Sequence, residues 1–249
     1  MFQIENGILK RYNKDCKEEH IIIPDGVTEI KSGAFEGCAF VKSIVIPDSV
    51  TMIGQAAFEQ CPRLQWIKIP DSVQKMGGAL FLRCTALESF IIPDDFKSIG
   101  DATFSGCSSL KNVMIPDSME TIGMQAFCDC KSLKNIYIPE NVRRIGFQAF
   151  AGCESLTHVE ISHAEHISEG TFIACKSLKT AIVPYIARYM FVDCYNLTDV
   201  WVTSDNSYTN KDYAAGTAFE NCHHLSNIWI VNRNGSHTSS VVKHLVLKE

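Results

Sequence analysis

Apolar and polar residues alternate along this chain in short bursts, and the bursts recur. Segments of the form L-x-x-I-x-I, such as LQWIKI at 64–69 and LKNVMI at 110–115, end in two apolar residues that flank one outward position. That period belongs to a strand with one buried face. The inward pairs are Ile67/Ile69, Val113/Ile115, Ile136/Ile138 and their equivalents. Proline follows the last inward residue at Pro24, Pro47, Pro70, Pro93, Pro116, Pro139 and Pro184. It has no amide to give to a ladder, so it marks where pairing stops. A polar pair such as Asp-Ser then turns the chain. V-x-x-I-G adds a second short apolar segment, and its Gly is expected to allow a tight bend. A-F-x-x-C has helical spacing and predicts one short helical turn, with Phe filling the wide part of the coil and Cys beside it.

The whole unit repeats. Phe-x-x-Cys occurs at Phe35/Cys38, Phe58/Cys61, Phe81/Cys84, Phe104/Cys107, Phe127/Cys130, Phe150/Cys153, Phe172/Cys175, Phe191/Cys194 and Phe219/Cys222. Successive Phe residues are separated by 23, 23, 23, 23, 23, 22, 19 and 28 residues. A period of about 20 to 30 residues is the mark of a solenoid, in which one supersecondary unit stacks on its copies around a continuous core. Phe and Cys are then expected as two in-line structural ladders. Neighbouring Cys would stand roughly 5 Å apart with parallel Cβ vectors, a poor fit to disulfide geometry. The ladder is therefore expected as free buried thiols acting as small hydrophobes, with Cys16 and Cys128 outside it. Reduced thiols lean toward a reducing compartment.

The pattern divides the chain into residues 1–17, 18–230 and 231–249. Asn6-Gly7 between apolar residues is a hairpin signal, so residues 2–12 are expected to cap the open start of the stack. Residues 18–230 read as about ten coils of roughly 23 residues. They are irregular after 160, where Ser162-His163-Ala164-Glu165-His166 replaces the I-P-D-S-V turn. The coil before Phe191 is shortened, and a polar insert falls at 204–214. The tail, 231–249, is read as a partial cap in which VVKHLVLKE (241–249) closes the sheet.

The combination I-P-x-S-V-x-x-I-G-x-x-A-F-x-x-C resembles the BspA-like, or Treponema pallidum type, branch of the leucine-rich repeat superfamily, over residues 18–230. The resemblance implies an α/β repeat solenoid: a right-handed superhelix with one parallel β-sheet face and the short helical turns opposite. It also implies an adhesin-type role at a bacterial or protist surface, with a host or matrix protein as partner.

Two stripes of side chains should point outward from the sheet. One carries Ser43, Trp66, Ser89, Asn112, Asn135, His158, Thr180, Asp199 and Asn227. The other carries Val45, Lys68, Ile91, Met114, Tyr137, Glu160, Ile182, Trp201 and Trp229. All three Trp residues fall here. An outward apolar strip with aromatic anchors is the usual mark of a protein interface, so Trp66, Ile91, Met114, Tyr137, Trp201 and Trp229 are the candidate partner-binding residues. The bland alternative is that these side chains only pack on one another along the ladder. An intracellular scaffold, or self-association through an ill-capped end, is the other class of reading.

Charge and motifs narrow this further. The net charge is −5 with signs interspersed, so no basic stripe invites nucleic acid. No apolar run approaches a membrane span. MFQIENGILKRYNK lacks the apolar core of a secretory leader. The chain is thus expected in the cytoplasm, or at the surface if a leader has been removed. Neither a Gly-rich phosphate loop nor H-E-x-x-H nor G-x-S-x-G occurs, and no enzyme or cofactor is expected. Ser108-x-x-Lys111 is read as a by-product of the repeat. His158, His163 and His166, with Glu160 and Glu165, are the one polar cluster that coincides with a broken repeat. A solvated turn is the expectation there, and a metal the alternative. Asn196-Leu-Thr198 and Asn234-Gly-Ser236 match the glycosylation acceptor pattern by sequence alone.

Overall fold

A computed structural model describes residues 1–203, 215–231 and the strand at 237–241. It is a solenoid whose coils are tied by two rows of short strands. The front row comes from L-x-x-I-x-I. It contains His20–Ile22, Ser43–Val45 and Trp66–Lys68, then Ser89–Ile91 and Asn112–Met114, then His158–Glu160, Thr180–Val183, Asp199–Val202 and Asn227–Val231, each group a parallel ladder. The second row corrects the expectation of a single sheet face. V-x-x-I forms its own parallel ladder, through Glu29–Ile30, Met52–Ile53 and Lys75–Met76, and again from Ser98–Ile99 to His166–Ile167. Two residues with one inward Ile suffice, because each coil offers the same donors and acceptors to the next.

The expected helical turns are not there. Among the described residues the one helix is Ala215–Ala218. Around each Phe the chain makes tight turns instead, passing through the left-handed region at Ala56, Gln60, Ala79, Arg83, Ala102, Gln125, Asp129 and Gln148. A helix would spend its amides within the coil. Here every Phe amide from Phe35 to Phe191 donates to a carbonyl one coil on, at 2.8–3.1 Å, as Phe104 does to Ala126 and Phe127 to Ala149. Periodicity cannot distinguish the two, because one turn of either buries residues at the same spacing.

The Gly of V-x-x-I-G also has another cause than a bend. Gly54, Gly77, Gly100, Gly123 and Gly146 are outside the left-handed region. What they lack is room: a Cβ on Gly54 would lie 2.3 Å from the Ser32 amide nitrogen, and one on Gly146 would lie 2.5 Å from that of Met124. Neighbouring coils touch backbone to backbone along this edge.

The core is a column of aromatic rings. From Phe35 to Phe219 nine rings stack over eight full turns, their centroids stepping by 5.2–5.8 Å with planes within 27° of parallel. Tyr12 takes the Phe place one coil earlier: it stacks on Phe35 at 5.3 Å, donates its amide to Ala34, and bonds Glu18 through its hydroxyl at 2.7 Å. Phe2, from the hairpin Phe2–Glu5/Ile8–Tyr12, covers the outer face of that ring at 5.1 Å.

The eleven thiols are free, but the expectation that the laddered Cys only fill space is corrected. Cys84 shows why. It is fully buried beside Phe81, and its Sγ–H donates to the carbonyl of Phe58, one coil back, at 3.1 Å. Its amide returns to the Phe81 carbonyl at 2.9 Å, closing a tight turn where a helical turn was expected. From Cys61 to Cys222 each thiol of the ladder makes the same coil-to-coil bond at 3.0–3.2 Å, as Cys130 does to Phe104 and Cys153 to Phe127. The buried Phe carbonyl would otherwise lack a partner for its second lone pair. Burial pushes the Cys107 and Cys222 thiols up to about 12, so they stay protonated and able to donate.

The two strand rows break together at one place. Neither row pairs the coil of Trp66–Lys68 and Lys75–Met76 with the coil of Ser89–Ile91 and Ser98–Ile99. The flanking amides follow suit. Lys111 donates to Glu88, Glu120 to Lys97 and Gly123 to Ile99, but among the described residues the corresponding bonds from Glu88, Lys97 and Gly100 to the coil before are missing. Turn-side bonds from Ala79, Phe81 and Arg83 remain, and the thiol ladder crosses the joint intact, from Cys107 to Phe81 at 3.1 Å. Two residues that depart from the repeat stand at the gap. Phe90 stands where other coils have Ile, Val or Ala, with its ring wedged at 4.9 Å from Phe81 and 5.2 Å from Phe104. Met76 stands where others have Ile. A void of about 20 Å³ lies among Met76, Leu80, Phe90, Ile99 and Phe104. The amides of Glu88, Lys97 and Gly100 should therefore exchange with deuterium at least about tenfold faster than those of Lys111, Glu120 and Gly123. Equal protection by exchange NMR would mean that the joint is closed in solution.

At the far end the strand His237–Val241 closes the front row antiparallel to Asn227–Val231. The closing strand was expected in 241–249. It forms earlier, and residues 242–249 are outside the described ones, as are the insert at 204–214 and the Asn234-Gly-Ser236 motif.

Candidate functional site

The front row sets the outward side chains in register. His20, Ser43 and Trp66 stand side by side, as do Ile22, Val45 and Lys68. Ile91 is beside Met114, and Glu160, Ile182, Trp201 and Trp229 form an unbroken line. Exposure divides this face in two. Trp66 is 51% exposed, Ile91 66%, Met114 65% and Tyr137 65%. Ile182, Trp201 and Trp229 are half-buried, because each leans on its neighbour in the paired ladder. Trp229 also donates its Nε1–H to Asp199 Oδ1 at 3.2 Å, and Asn227 donates to the same oxygen at 2.8 Å. Burial pushes the Asp199 carboxyl up, but hydrogen bonds from Asn227, Thr198 and Trp229 outweigh it and hold the group below its ordinary value. Ile22, 71% exposed, lengthens the apolar edge by one coil before the first repeat Phe.

The exposed half is cut by two grooves, each where the front ladder is interrupted. The first lies at the open joint, between the Trp66 and Ile91 coils. It holds about 220 Å³ over a floor of Ile67, Ile69 and Phe90, with Lys68 and Asp71 on its rim. The second, of about 370 Å³, opens where residues 135–138 join neither neighbouring strand. It is lined by Asn135, Tyr137 and Glu140 from one coil and by His158, Glu160 and His163 from the next. Between the two grooves Ile91 and Met114 stand as an apolar ridge. The sequence carries the residues of this relief but gives no sign that residues 135–138 leave the ladder, since NIYIPENV fits the repeat.

The polar cluster is divided: His158, Glu160 and His163 border the second groove, and Glu165 and His166 lie outside it. His158 is on the front row, where its Nδ1 bonds Thr180 Oγ1 at 2.6 Å, while His166 is on the second row beside Arg144. His163 is 3.8 Å from Glu140, and Glu165 faces Arg143 at 3.6 Å. Among the described residues no three His, Cys, Asp or Glu side chains come together to hold a metal ion. Lys111 pairs with Glu88 at 2.9 Å rather than with Ser108. Asn196 is exposed and donates to the Lys176 carbonyl. Among the described residues no helix is long and apolar enough to cross a membrane.

Comparison with known proteins places this geometry. A leucine rich cell surface protein from Faecalibacterium prausnitzii superposes with a TM-score of 0.58 at 22% identity, over 94% of this chain and 93% of its own. The T. pallidum leucine rich repeat protein gives 0.52 at 28% identity, over 76% of this chain and 82% of its own. A leucine-rich repeat protein from Bacteroides ovatus gives 0.51 at 23%, over 92% and 74%. No curated protein matches the chain. The profile of the BspA type leucine rich repeat region matches in six copies, over residues 8–134 and 97–226. With the profile spanning most of its length, the chain belongs to the BspA-type leucine-rich repeat family.

Proposed function

We propose that this chain is a protein-binding module that receives its partner on the front face, with Trp66, Ile91, Met114 and Tyr137 as the main anchors and Trp201 and Trp229 as a half-buried extension. The observation that carries the reading is the relief of that face. Four large apolar side chains, each more than half exposed, lie along consecutive coils from Trp66 to Tyr137, and they border two grooves. Isolated exposed apolar residues are ordinary, but a contiguous set with aromatic members and adjacent hollows is the form of an interaction site. A β-ladder that only needed internal packing would keep its outward residues leaning on one another, as Trp201 and Trp229 do. An adhesin-type partner, a host or matrix protein, is the form of this proposal that fits the family. No catalytic residue is proposed.

The test is to select binders from a displayed library of protein fragments against the immobilised chain. Ile91, Met114 and Tyr137 are then each exchanged for Ser. The triple variant should lose the selected binders while its melting temperature stays within about 2 °C of wild type, because exposed side chains contribute little to stability. Binders that survive the variant would place recognition elsewhere, with the irregular coils after residue 160 the next surface to examine.

A further inference from the structure

We infer that the groove beside Tyr137 takes a basic side chain of the partner, an arginine in preference to a lysine. This rests on the front face being the binding surface. The groove is walled by the half-exposed to exposed faces of Asn135, Tyr137, Glu140, His158, Glu160 and His163. Two carboxylates line it and no lysine or arginine does. Among the described residues Glu160 has no salt bridge, and Glu140 has a long one, 3.8 Å to the imidazole of His163. Elsewhere on the molecule Glu88, Glu120 and Glu154 are each within 3.4 Å of a lysine from a neighbouring coil. Both carboxylates of this groove thus lack a lysine or arginine partner and are open to a cation from outside.

The aromatic member sharpens the choice. Tyr137 is 65% exposed and stands on a segment that no strand neighbour pairs, so its ring is free to receive a flat group. A guanidinium is planar, stacks on an aromatic face and presents several donors to carboxylates at once; an ammonium does only part of this. The rest of the face sets the direction. The other groove, three coils away, carries Lys68 beside Asp71, one charge of each sign, whereas the groove at Tyr137 carries two carboxylates and no base. A partner segment with an apolar centre and one basic end would lay its centre on Ile91 and Met114. Its basic end would fall at Tyr137, away from Lys68.

The experiment uses the whole chain labelled with ¹³C in its tyrosine rings, at pH 8. Blocked tripeptides Gly-Arg-Gly, Gly-Lys-Gly and Gly-Gln-Gly are titrated, and the Tyr137 ring signals are followed. They are assigned by their loss on Tyr137→Leu. The arginine peptide should move those signals saturably, about tenfold more tightly than the glutamine peptide, with lysine between them. Glu140→Gln with Glu160→Gln should weaken the arginine peptide about tenfold, and salt should weaken it as well. Equal shifts from the arginine and glutamine peptides, or undiminished binding by the double variant, would overturn the inference. Saturable shifts from a methyl glycoside, unchanged in the double variant, would overturn it in favour of a sugar. Ile91→Ser with Met114→Ser separates the two claims. It should abolish selected protein binders yet leave the arginine peptide bound. If protein binders are lost but the arginine peptide never binds, only this inference fails.

Discussion

Replacing Phe104 by Ala should remove about 3 to 5 kcal/mol of stability, the range for emptying a fully buried aromatic position. Phe104, like Phe81, touches three other rings of the core. It stacks on Phe127 at 5.3 Å and on Phe81 at 5.6 Å, and Phe90 tilts against it at 5.2 Å. It also sits directly beyond the joint, where strand pairing is already missing on both rows. The neighbouring turns cannot collapse into the hole, because their amides are tied coil to coil at Phe104–Ala126 and Phe81–Thr103. In a stack held by nearest-neighbour contacts the loss falls on the two interfaces of that coil, one of which is the joint. Urea unfolding followed by circular dichroism should then broaden or divide, with the two sides of the joint unfolding at different concentrations. A loss below about 1 kcal/mol would mean that the rings are not a continuous core.

Gly146→Ala should cost on the order of 1 to 3 kcal/mol, through overpacking and not through backbone dihedrals. Gly146 lies outside the left-handed region, so alanine suits its conformation. The added methyl would instead meet Met124 N at 2.5 Å, Gly123 C at 2.6 Å and Gly123 O at 2.8 Å. All three atoms are backbone, so relief requires the coils to part, and the Gly146–Ile122 hydrogen bond of 2.8 Å holds them together. Gly37→Ala is the matched control. Gly37 has φ +73° and open space around it, so alanine there meets only the dihedral cost, roughly 1 kcal/mol. Thermal melts of the two variants should differ, with Gly146→Ala the lower. The reverse order would return the glycine row to a bending role.

These two residues also show how far the sequence could be read. The spacing of Phe and Cys was enough to stack the coils, and alternation was enough to place Ile67, Ile69 and Val113 inward. What the spacing could not give was the hydrogen bonding between coils. A-F-x-x-C reads as a helical turn until its amides are seen to leave the coil. V-x-x-I is too short to announce a strand, yet repetition makes it one. Tyr12 continues the Phe column, but a single Tyr without its Cys has no signal in the pattern. A thiol such as that of Cys84 looks like a filler by composition, and only its distance to the Phe58 carbonyl gives it a role. On the front face the outward stripes follow from alternation, so the candidate residues were legible. Their division into an exposed half and a half-buried half was not, because it depends on where ladders break. Phe90, larger than its equivalents, and Met76, unbranched where they are β-branched Ile, are the local hint of such a break; residues 135–138 carry none.

The measurement that tests the central claim most directly is the affinity of one selected protein binder for wild type and for the Ile91/Met114/Tyr137 triple Ser variant, by biolayer interferometry with melting curves alongside. The account predicts a loss of at least about 100-fold, since removing two or three anchor side chains typically costs several kcal/mol of binding, with the fold unchanged. Equal affinities for the two proteins would contradict it and take the front face out of partner recognition.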